Sequence, residues 1–93
     1  MYIVIKKFHS SSIDETIENA KNKFLPMISK LPGFISYHVI KSAADVVVSI
    51  LSFDSEAEGK ASTVTAFSWV KENGFDLLYQ VQEVIEGEVV VEE

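Results

Sequence analysis

The chain has 93 residues, a net charge of −6, no cysteine and 47% hydrophobic residues, which together fit one globular domain over residues 1–93. The absence of cysteine excludes disulfides and thiolate metal sites, and no apolar run approaches the ~20 residues of a membrane span. For that reason we expect no membrane partner, and a cytoplasmic location is the default. All eight basic residues are scattered lysines, so we also expect no nucleic-acid partner.

The N-terminal third predicts a strand followed by a helix. Residues 2–9 alternate as a strand, with two apolar sets on opposite faces: Ile3 and Ile5 against Tyr2, Val4 and Phe8. Ser12 and Glu15 have the spacing of a capping box, which marks the start of a helix. An apolar stripe follows at helical spacing, formed by Ile13, Ile17, Ala20, Phe24, Ile28 and Leu31. Pro26 removes a backbone donor within this stripe, so a kink or break is expected near residues 22–25.

A turn and two strands come next. Pro32 ends the helix, and Gly33 supplies the positive φ that a type II turn requires at its third position. Residues 34–41 and 46–53 are predicted as strands. The second of them is apolar on both faces, so it needs cover on each side. The sequence leaves open which of its two alternating sets would face a partner.

The last third predicts a second helix and a final strand. Ser55 and Glu58 form another capping box, and the helix is expected to run to about Asn73. Two apolar groups lie on different sides of this helix: Ala57, Ala61 and Val64 against Ala66, Trp69 and Val70. Residues 75–78 are predicted as one further helical turn, and residues 83–91 as the last strand.

The order of strand, helix, strand, strand, helix, strand predicts the fold. With right-handed crossovers it gives an α+β, ferredoxin-like βαββαβ sandwich, in which a four-stranded antiparallel sheet carries both helices on one face. The other face of the sheet would be bare and apolar, which is typical of an interface. We therefore expect a homodimer that forms through the helix-free sheet face.

Three segments resemble the antibiotic biosynthesis monooxygenase-like family: the run Leu31–Phe34, the strand Val46–Phe53 with the following Asp54 and Ser55, and the helix end Phe67–Val70. The resemblance covers nearly the whole chain. It implies a dimeric α+β barrel, in which two ferredoxin-like sheets pack together. Members of the family include cofactor-free quinone-forming oxygenases and haem-degrading enzymes.

At several positions where enzymes of the family carry functional residues, this chain has a different residue. Haem-degrading members have an Asn on the first strand, a Trp on the second helix and a His ligand about three turns later. Trp69 matches the Trp. The position of the Asn is occupied by Lys6 or Lys7, and the position of the His falls near Tyr79. We therefore expect no cofactor, neither haem nor a metal. Quinone-forming members have an Asn before the Trp and a Tyr soon after it, where this chain has Thr65 and Phe75.

Trp69, the sole tryptophan, has two interpretations. It packs in the core or the dimer seam, or it lines a ligand pocket between the second helix and the sheet. In the second case Ala66 leaves room beside the ring, and the polar contacts are Thr65 and either Tyr37 or His38, which face opposite ways on one strand. Without arginine to hold a carboxylate or phosphate, such a pocket favours a flat and largely uncharged ligand.

Two functions follow from these interpretations. The first is a cofactor-independent monooxygenase that acts on a small apolar aromatic or enolisable substrate. The second is a non-catalytic dimer that binds a small ligand or serves as a scaffold. A cavity beside Trp69 with a buried polar group would favour the first function, and a fully packed helix–sheet interface would favour the second.

Overall fold

The computed structural model describes residues 1–77 and 79–93. Four strands and the helical segments between them follow the predicted order. In chain order they are β1 (Tyr2–Ser10), α1 (Ile13–Asn19), a π-helical turn (Ala20–Phe24), α2 (Leu25–Ile28), β2 (Phe34–Ala43), β3 (Val46–Phe53), α3 (Glu56–Glu72), a 3-10 turn (Phe75–Leu77) and β4 (Tyr79–Glu88). The predicted turn over residues 75–78 therefore begins as expected, and its last residue lies outside the described residues.

The strands form one antiparallel sheet in the order β2-β3-β1-β4, which confirms the predicted ferredoxin-like fold. The prediction for the last strand, residues 83–91, is wrong at both ends, since β4 spans Tyr79–Glu88. A bulge explains the early start. Lys7 pairs with Glu83 and Phe8 with Val81, so one extra residue is accommodated and the strand goes on pairing with the end of β1.

The central strand β3 has one face towards the helices and one away from them. The helix-side set is buried and comprises Val47, Ser49, Leu51 and Phe53. The alternate residues Val46, Val48 and Ile50 lie on the helix-free face and remain partly exposed. This assigns the two faces of the strand, which the sequence had left open.

The first helical segment is interrupted where Pro26 was expected to disturb it. Between α1 and α2 the chain makes a π-helical turn, and the Leu25 N–H donates to the Ala20 carbonyl one residue further back than in an α-helix. The predicted capping box at Ser12 is wrong, because the Ser12 side chain makes no capping hydrogen bond. Instead the Ser10 Oγ accepts from the Ser12 N–H, and the Thr16 Oγ1 donates to the Ser12 carbonyl.

Helix α3 packs on the sheet through small residues. Gly59, Ser62 and Ala66 are buried, whereas Ala57, Ala61 and Val64, the apolar group on the other side, are exposed. The reason is a close approach between helix and sheet. A Cβ atom on Gly59 would lie 2.5 Å from Cδ2 of the Tyr2 ring, a position that only glycine allows. The small side chains therefore bring the N-terminal half of α3 directly onto β1.

Local predictions at two turns are confirmed. Gly33 has a φ of 77°, and the Phe34 N–H donates to the Leu31 carbonyl across the turn, 3.2 Å away. At the start of α3 the Ser55 Oγ accepts from the Glu58 N–H at 3.3 Å. Across the described part of the chain, no helix has the length and apolar character needed to cross a membrane.

Candidate functional site

A cavity of about 570 Å³ lies between the sheet and the helical layer, towards the C-terminal half of α3. Its floor comes from the inner face of the sheet and includes Lys6, Phe8, Tyr37, Val39, Ser49 and Val84. Its walls and roof come from the helical segments and include Ala20, Phe24, Ala66, Phe67, Trp69 and Val70. The volume falls in the range of small-molecule sites, about 300–1,000 Å³.

Aromatic rings form one wall of the cavity. The Trp69 ring lies 5.4 Å from the Phe24 ring at an interplanar angle of 66°, and 5.4 Å from the Phe75 ring at 52°. Phe24 in turn lies 5.3 Å from the Tyr37 ring. Phe24 ends the π-helical turn, so the extra residue in that turn helps to set the direction of its side chain. Such a wall favours flat apolar ligands, because ring faces and edges stack on it.

The floor carries two polar side chains in the middle of an apolar surface. Lys6 on β1 pairs directly with Ser49 on β3, and both side chains point to the helix side. Ser49 is only 6% exposed. Burial lowers the pKa of the Lys6 ammonium, and the negative charge of Glu86 partly opposes this shift.

Two tyrosines border the same space. Burial raises the pKa of Tyr37 well above its ordinary value, and the proximity of Tyr79 adds to the shift. Burial is also the main cause that raises the pKa of Tyr79. Both hydroxyls therefore remain protonated at neutral pH and are able to donate hydrogen bonds to a ligand.

A second polar cluster closes the other end of the helix–sheet interface. The Tyr2 hydroxyl donates to the Glu86 Oε1 at 2.8 Å, and the Lys60 Nζ lies 3.3 Å from the same oxygen. The hydrogen bond from Tyr2 is the main cause that lowers the pKa of Glu86, with Lys60 contributing. This carboxylate is thus already engaged by two donors.

The structure brings together three of the five residues expected in a pocket. Trp69, Ala66 and Tyr37 line the cavity. Thr65 does not line it, because it lies on the exposed side of α3, and His38 does not, because it lies on the helix-free face of β2. That these residues hold a ligand remains a prediction.

Sequence reasoning missed two side chains of the floor. Lys6 alternates with Val4 and Phe8, both assigned to one face of the first strand, so the same alternation already placed Lys6 on the helix side. Ser49 shares its face with Leu51 in the central strand in the same way. Polar residues inside an apolar alternating pattern were therefore the available signal.

Among the residues that the structure describes, no group of three or more His, Cys, Asp or Glu side chains is placed to hold a metal ion. The acidic side chain on the cavity wall, Asp76, is exposed and stands at its edge. The chemistry that the cavity offers is therefore hydrogen bonding and charge from lysine, serine and tyrosine.

Comparison with solved structures finds the same fold in antibiotic biosynthesis monooxygenase-like proteins. HapK from Hahella chejuensis matches with a TM-score of 0.78 and 18% identity, over 100% of this chain and 96% of its own. SnoaB from Streptomyces nogalater, a cofactor-independent oxygenase, matches with a TM-score of 0.78 and 10% identity, over 98% and 94%. MhuD, as a point mutant with two manganese protoporphyrin IX molecules per active site, matches with a TM-score of 0.74 and 11% identity, over 100% and 98%.

No family model matches the sequence, and a search of curated proteins finds no significant match. The likeness to the solved structures, at 10–18% identity, establishes the ferredoxin-like fold of the single chain, and the dimeric barrel stays a prediction. Fold alone does not determine function, which depends on the cavity and its side chains.

Proposed function

We propose that this protein is a cofactor-independent monooxygenase-like enzyme, which acts on a small, flat, largely apolar aromatic or enolisable substrate. The observation that carries the proposal is the cavity of about 570 Å³ between α3 and the sheet, bordered by Trp69 and Phe24. A cavity beside Trp69 with the polar side chains of Lys6 and Ser49 on its floor favours this function over that of a fully packed scaffold. SnoaB, which has the same fold, is a cofactor-independent oxygenase and supports the assignment by analogy.

The cavity offers what such a reaction requires of a protein. Oxidation of a ring carbon from CH₂ to C=O by dioxygen yields one molecule of water, and the substrate provides the electrons once it has lost a proton to form an anion. The protein has to exclude water and to place donors beside the developing anion. The apolar walls serve the first task, and the protonated hydroxyl of Tyr37 serves the second.

The sole tryptophan makes the proposal measurable. A panel of phenols and their quinones is titrated while Trp69 emission and oxygen consumption are followed in parallel. Saturable quenching together with oxygen uptake supports the enzyme. Saturable quenching without uptake favours the alternative, a non-catalytic ligand-binding protein, and the absence of any quenching removes the cavity as a binding site.

A matched pair of variants tests the part played by the aromatic wall. Trp69→Phe should weaken oxygen uptake, because it shortens the wall that orients the ring. Phe34→Leu is the control, since Phe34 packs against Phe53 at a ring distance of 6.1 Å and is not among the residues that line the cavity. Equal losses in the two variants would indicate a general effect on stability.

We also infer that the protein forms a homodimer through the helix-free face of the sheet, closing an α+β barrel. Apolar side chains of all four strands support this: Ile3, Ile5, Ile40, Val46, Val48, Ile50 and Ile85. Ile40 is 48% exposed and Ile85 is 55% exposed. A shallow depression of about 190 Å³ on this face is lined by Ile5, Val48 and Ile85, with Lys7 and Glu83 at its sides. A second copy brings the same apolar residues and complementary charges.

Light scattering decides the assembly. We expect a mass of twice 10.4 kDa at micromolar concentration, with roughly 800 Å² or more buried per partner. Val48→Lys should shift the mass towards the monomer, because a charge enters the apolar face. The control is Val64→Lys on α3, where the native valine is already 69% exposed. A monomer in the unmodified protein would reject the interface.

Haem is not expected as a cofactor. MhuD holds manganese protoporphyrin IX, but in this chain the position of the family's histidine ligand falls near Tyr79. Titration with haem should therefore leave the Soret band of free haem without a stoichiometric shift. A saturable shift that disappears in Tyr79→Phe would contradict this and would identify the phenolate as an axial ligand.

A further inference from the structure

Lys6 is the charged group in the middle of the cavity floor. Along β1 its neighbours on the same face are Val4 and Phe8, and on β4 it pairs with Val84. A lysine usually keeps its ammonium in water while its stem lies on apolar surface. Here the side chain is partly buried at the centre of the sheet instead of at an edge. A positive charge in such surroundings is costly unless an anion compensates it.

The protein does not supply that anion. Within the described part of the chain, the Lys6 ammonium makes no hydrogen bond or ion pair. The carboxylate whose charge acts on it, Glu86, already accepts hydrogen bonds from Tyr2 and Lys60. Two other charged residues line the cavity, namely Lys71 and Asp76. Both are exposed and stand at the edge of the cavity.

Ser49 completes the polar patch. It stands directly opposite Lys6 in the β1–β3 pairing, where facing side chains lie about 5 Å apart. Ser49 is 6% exposed and lines the cavity, and among the described residues no hydrogen bond engages its hydroxyl. The hydroxyl and the ammonium are therefore two neighbouring donors directed at the same empty space.

We propose that Lys6 and Ser49 form an anion subsite, which binds the acidic hydroxyl of an aromatic or enolic ligand as its phenolate or enolate. This rests on the proposed function, because it assigns the ionised oxygen of the substrate to a place in the cavity. In the binding step the ligand hydroxyl gives its proton to water. The O–H bond of the ligand breaks, an O–H bond forms in the solvent, and the resulting oxyanion pairs with the Lys6 ammonium.

The charge of a lysine suits this place. A partly buried ammonium without a partner is costly, and the oxyanion of the ligand compensates it. Burial lowers the pKa of Lys6, whereas a bound oxyanion favours the charged ammonium. One lysine compensates one negative charge, and a dianion such as a phosphate monoester would retain an unpaired charge. The subsite therefore selects monoanions that are formed from weak acids.

Two probes with the same ring test the subsite. 4-Nitrophenol has an ionisable hydroxyl, and 4-nitroanisole carries a methyl ether in its place. Binding of each is followed by quenching of Trp69 at a pH below the pKa of free nitrophenol. The phenol should bind roughly 10- to 100-fold more tightly than the ether, as expected of a charge-assisted hydrogen bond. Binding should also produce the visible absorption band of the nitrophenolate.

Lys6→Met should remove both effects, since it keeps the length of the side chain and removes the amine. The control is Lys30→Met, an exposed lysine that is not among the cavity residues and should retain the preference and the band. A denaturation curve for each variant verifies that it is folded. An unchanged preference in folded Lys6→Met would overturn the subsite.

The outcomes for the unmodified protein separate the two proposals. If the phenol and the ether bind equally tightly and no phenolate band appears, the anion subsite is wrong and the cavity remains a binding site. If neither probe quenches Trp69 while the full panel of phenols and quinones also fails, the proposed function itself is wrong.

Discussion

At one end of the helix–sheet interface the side chains fill the space completely, and at the other end they do not. Phe53 and Ile28 are 0% exposed at the packed end, where α3 lies on β1 through glycine and serine. At the open end the rings of Trp69 and Phe24 border the cavity. The same two layers of structure therefore serve stability at one end and binding at the other.

The polar groups at the two ends also differ, because those at the packed end are paired within the protein and those at the open end are not. At the packed end Tyr2, Glu86 and Lys60 satisfy one another. At the open end Lys6 and Ser49 have donors without acceptors among the described residues. Polar groups that are paired inside the protein stabilise the fold, whereas unpaired groups beside a cavity remain available to a ligand.

Truncation of one aromatic ring at each end gives the largest expected effect. Phe53→Ala should lower the free energy of unfolding by about 3–5 kcal/mol, because a fully buried ring leaves a new void. Phe24→Ala should cost about 1–2 kcal/mol, because its ring already faces a cavity and loses fewer contacts. Urea denaturation at pH 7 measures both. Equal costs would mean that the open end is as tightly packed as the other.

Overpacking at the packed end is the next largest effect. Gly59→Ala places a methyl group 2.5 Å from the Tyr2 ring, and the repulsion should cost about 1–3 kcal/mol. This outweighs the gain of about 1 kcal/mol from alanine's helix propensity. Ser68→Ala is the control, since Ser68 is exposed on the same helix and its substitution adds no atom to the contact with the sheet. Thermal unfolding of the two variants at one protein concentration reveals the difference.

Lys6→Met should stabilise the protein at neutral pH, by about 1 kcal/mol, because a partly desolvated charge is removed. The pKa of Lys6 is lower in the folded protein than in the unfolded chain, where it is 10.5. Between these two values the unfolded chain binds more protons, so the stability of the unmodified protein rises with pH. The advantage of Lys6→Met should therefore shrink as the pH approaches 10.5. An advantage that is independent of pH would exclude the ammonium as its cause.

The smallest effect is expected from Tyr2→Phe. Without the donated hydrogen bond the pKa of Glu86 should move up towards its ordinary value of 4.5, while Lys60 keeps part of the shift. Because the pKa of Glu86 is lower in the folded state, its stabilising contribution is present above pH 4.5 and is lost as the pH falls through the folded value. Tyr2→Phe should flatten that acid-side loss. Carboxyl NMR titration follows Glu86 directly, and an unmoved pKa would contradict the role given to Tyr2.

The sequence predicts well those features that depend on local chemistry. The alternation of β3 between Asp45 and Asp54 locates the strand to the residue, and Gly33 adopts the positive φ that its turn requires. The order of the elements then leaves few topologies, so the ferredoxin-like sheet follows. The disturbance near Pro26 is likewise a local consequence of the missing N–H.

Features that depend on the fit between distant surfaces are not predicted. Hydrophobic spacing found two apolar groups on α3, one of them with Val64, and did not decide which is buried. The face in contact is chosen by how closely Gly59 lets the helix approach Tyr2. The cavity depends in the same way on the volumes of side chains from several strands and helical segments. The position of Lys6 on the helix side of the sheet could nevertheless have been predicted from the sequence, because it follows from the alternation of β1.

The π-helical turn Ala20–Phe24 also has a consequence for divergence among related sequences. It contains one residue more than a regular turn, so deletion of a single residue, for instance Lys21, would convert it into α-helix. The Leu25 N–H and the Ala20 carbonyl would then stand four residues apart, so the same hydrogen bond would close a regular α-helical turn and α2 would keep its direction. A lineage with this fold thus tolerates the loss or gain of one codon in this turn while the strands keep their register.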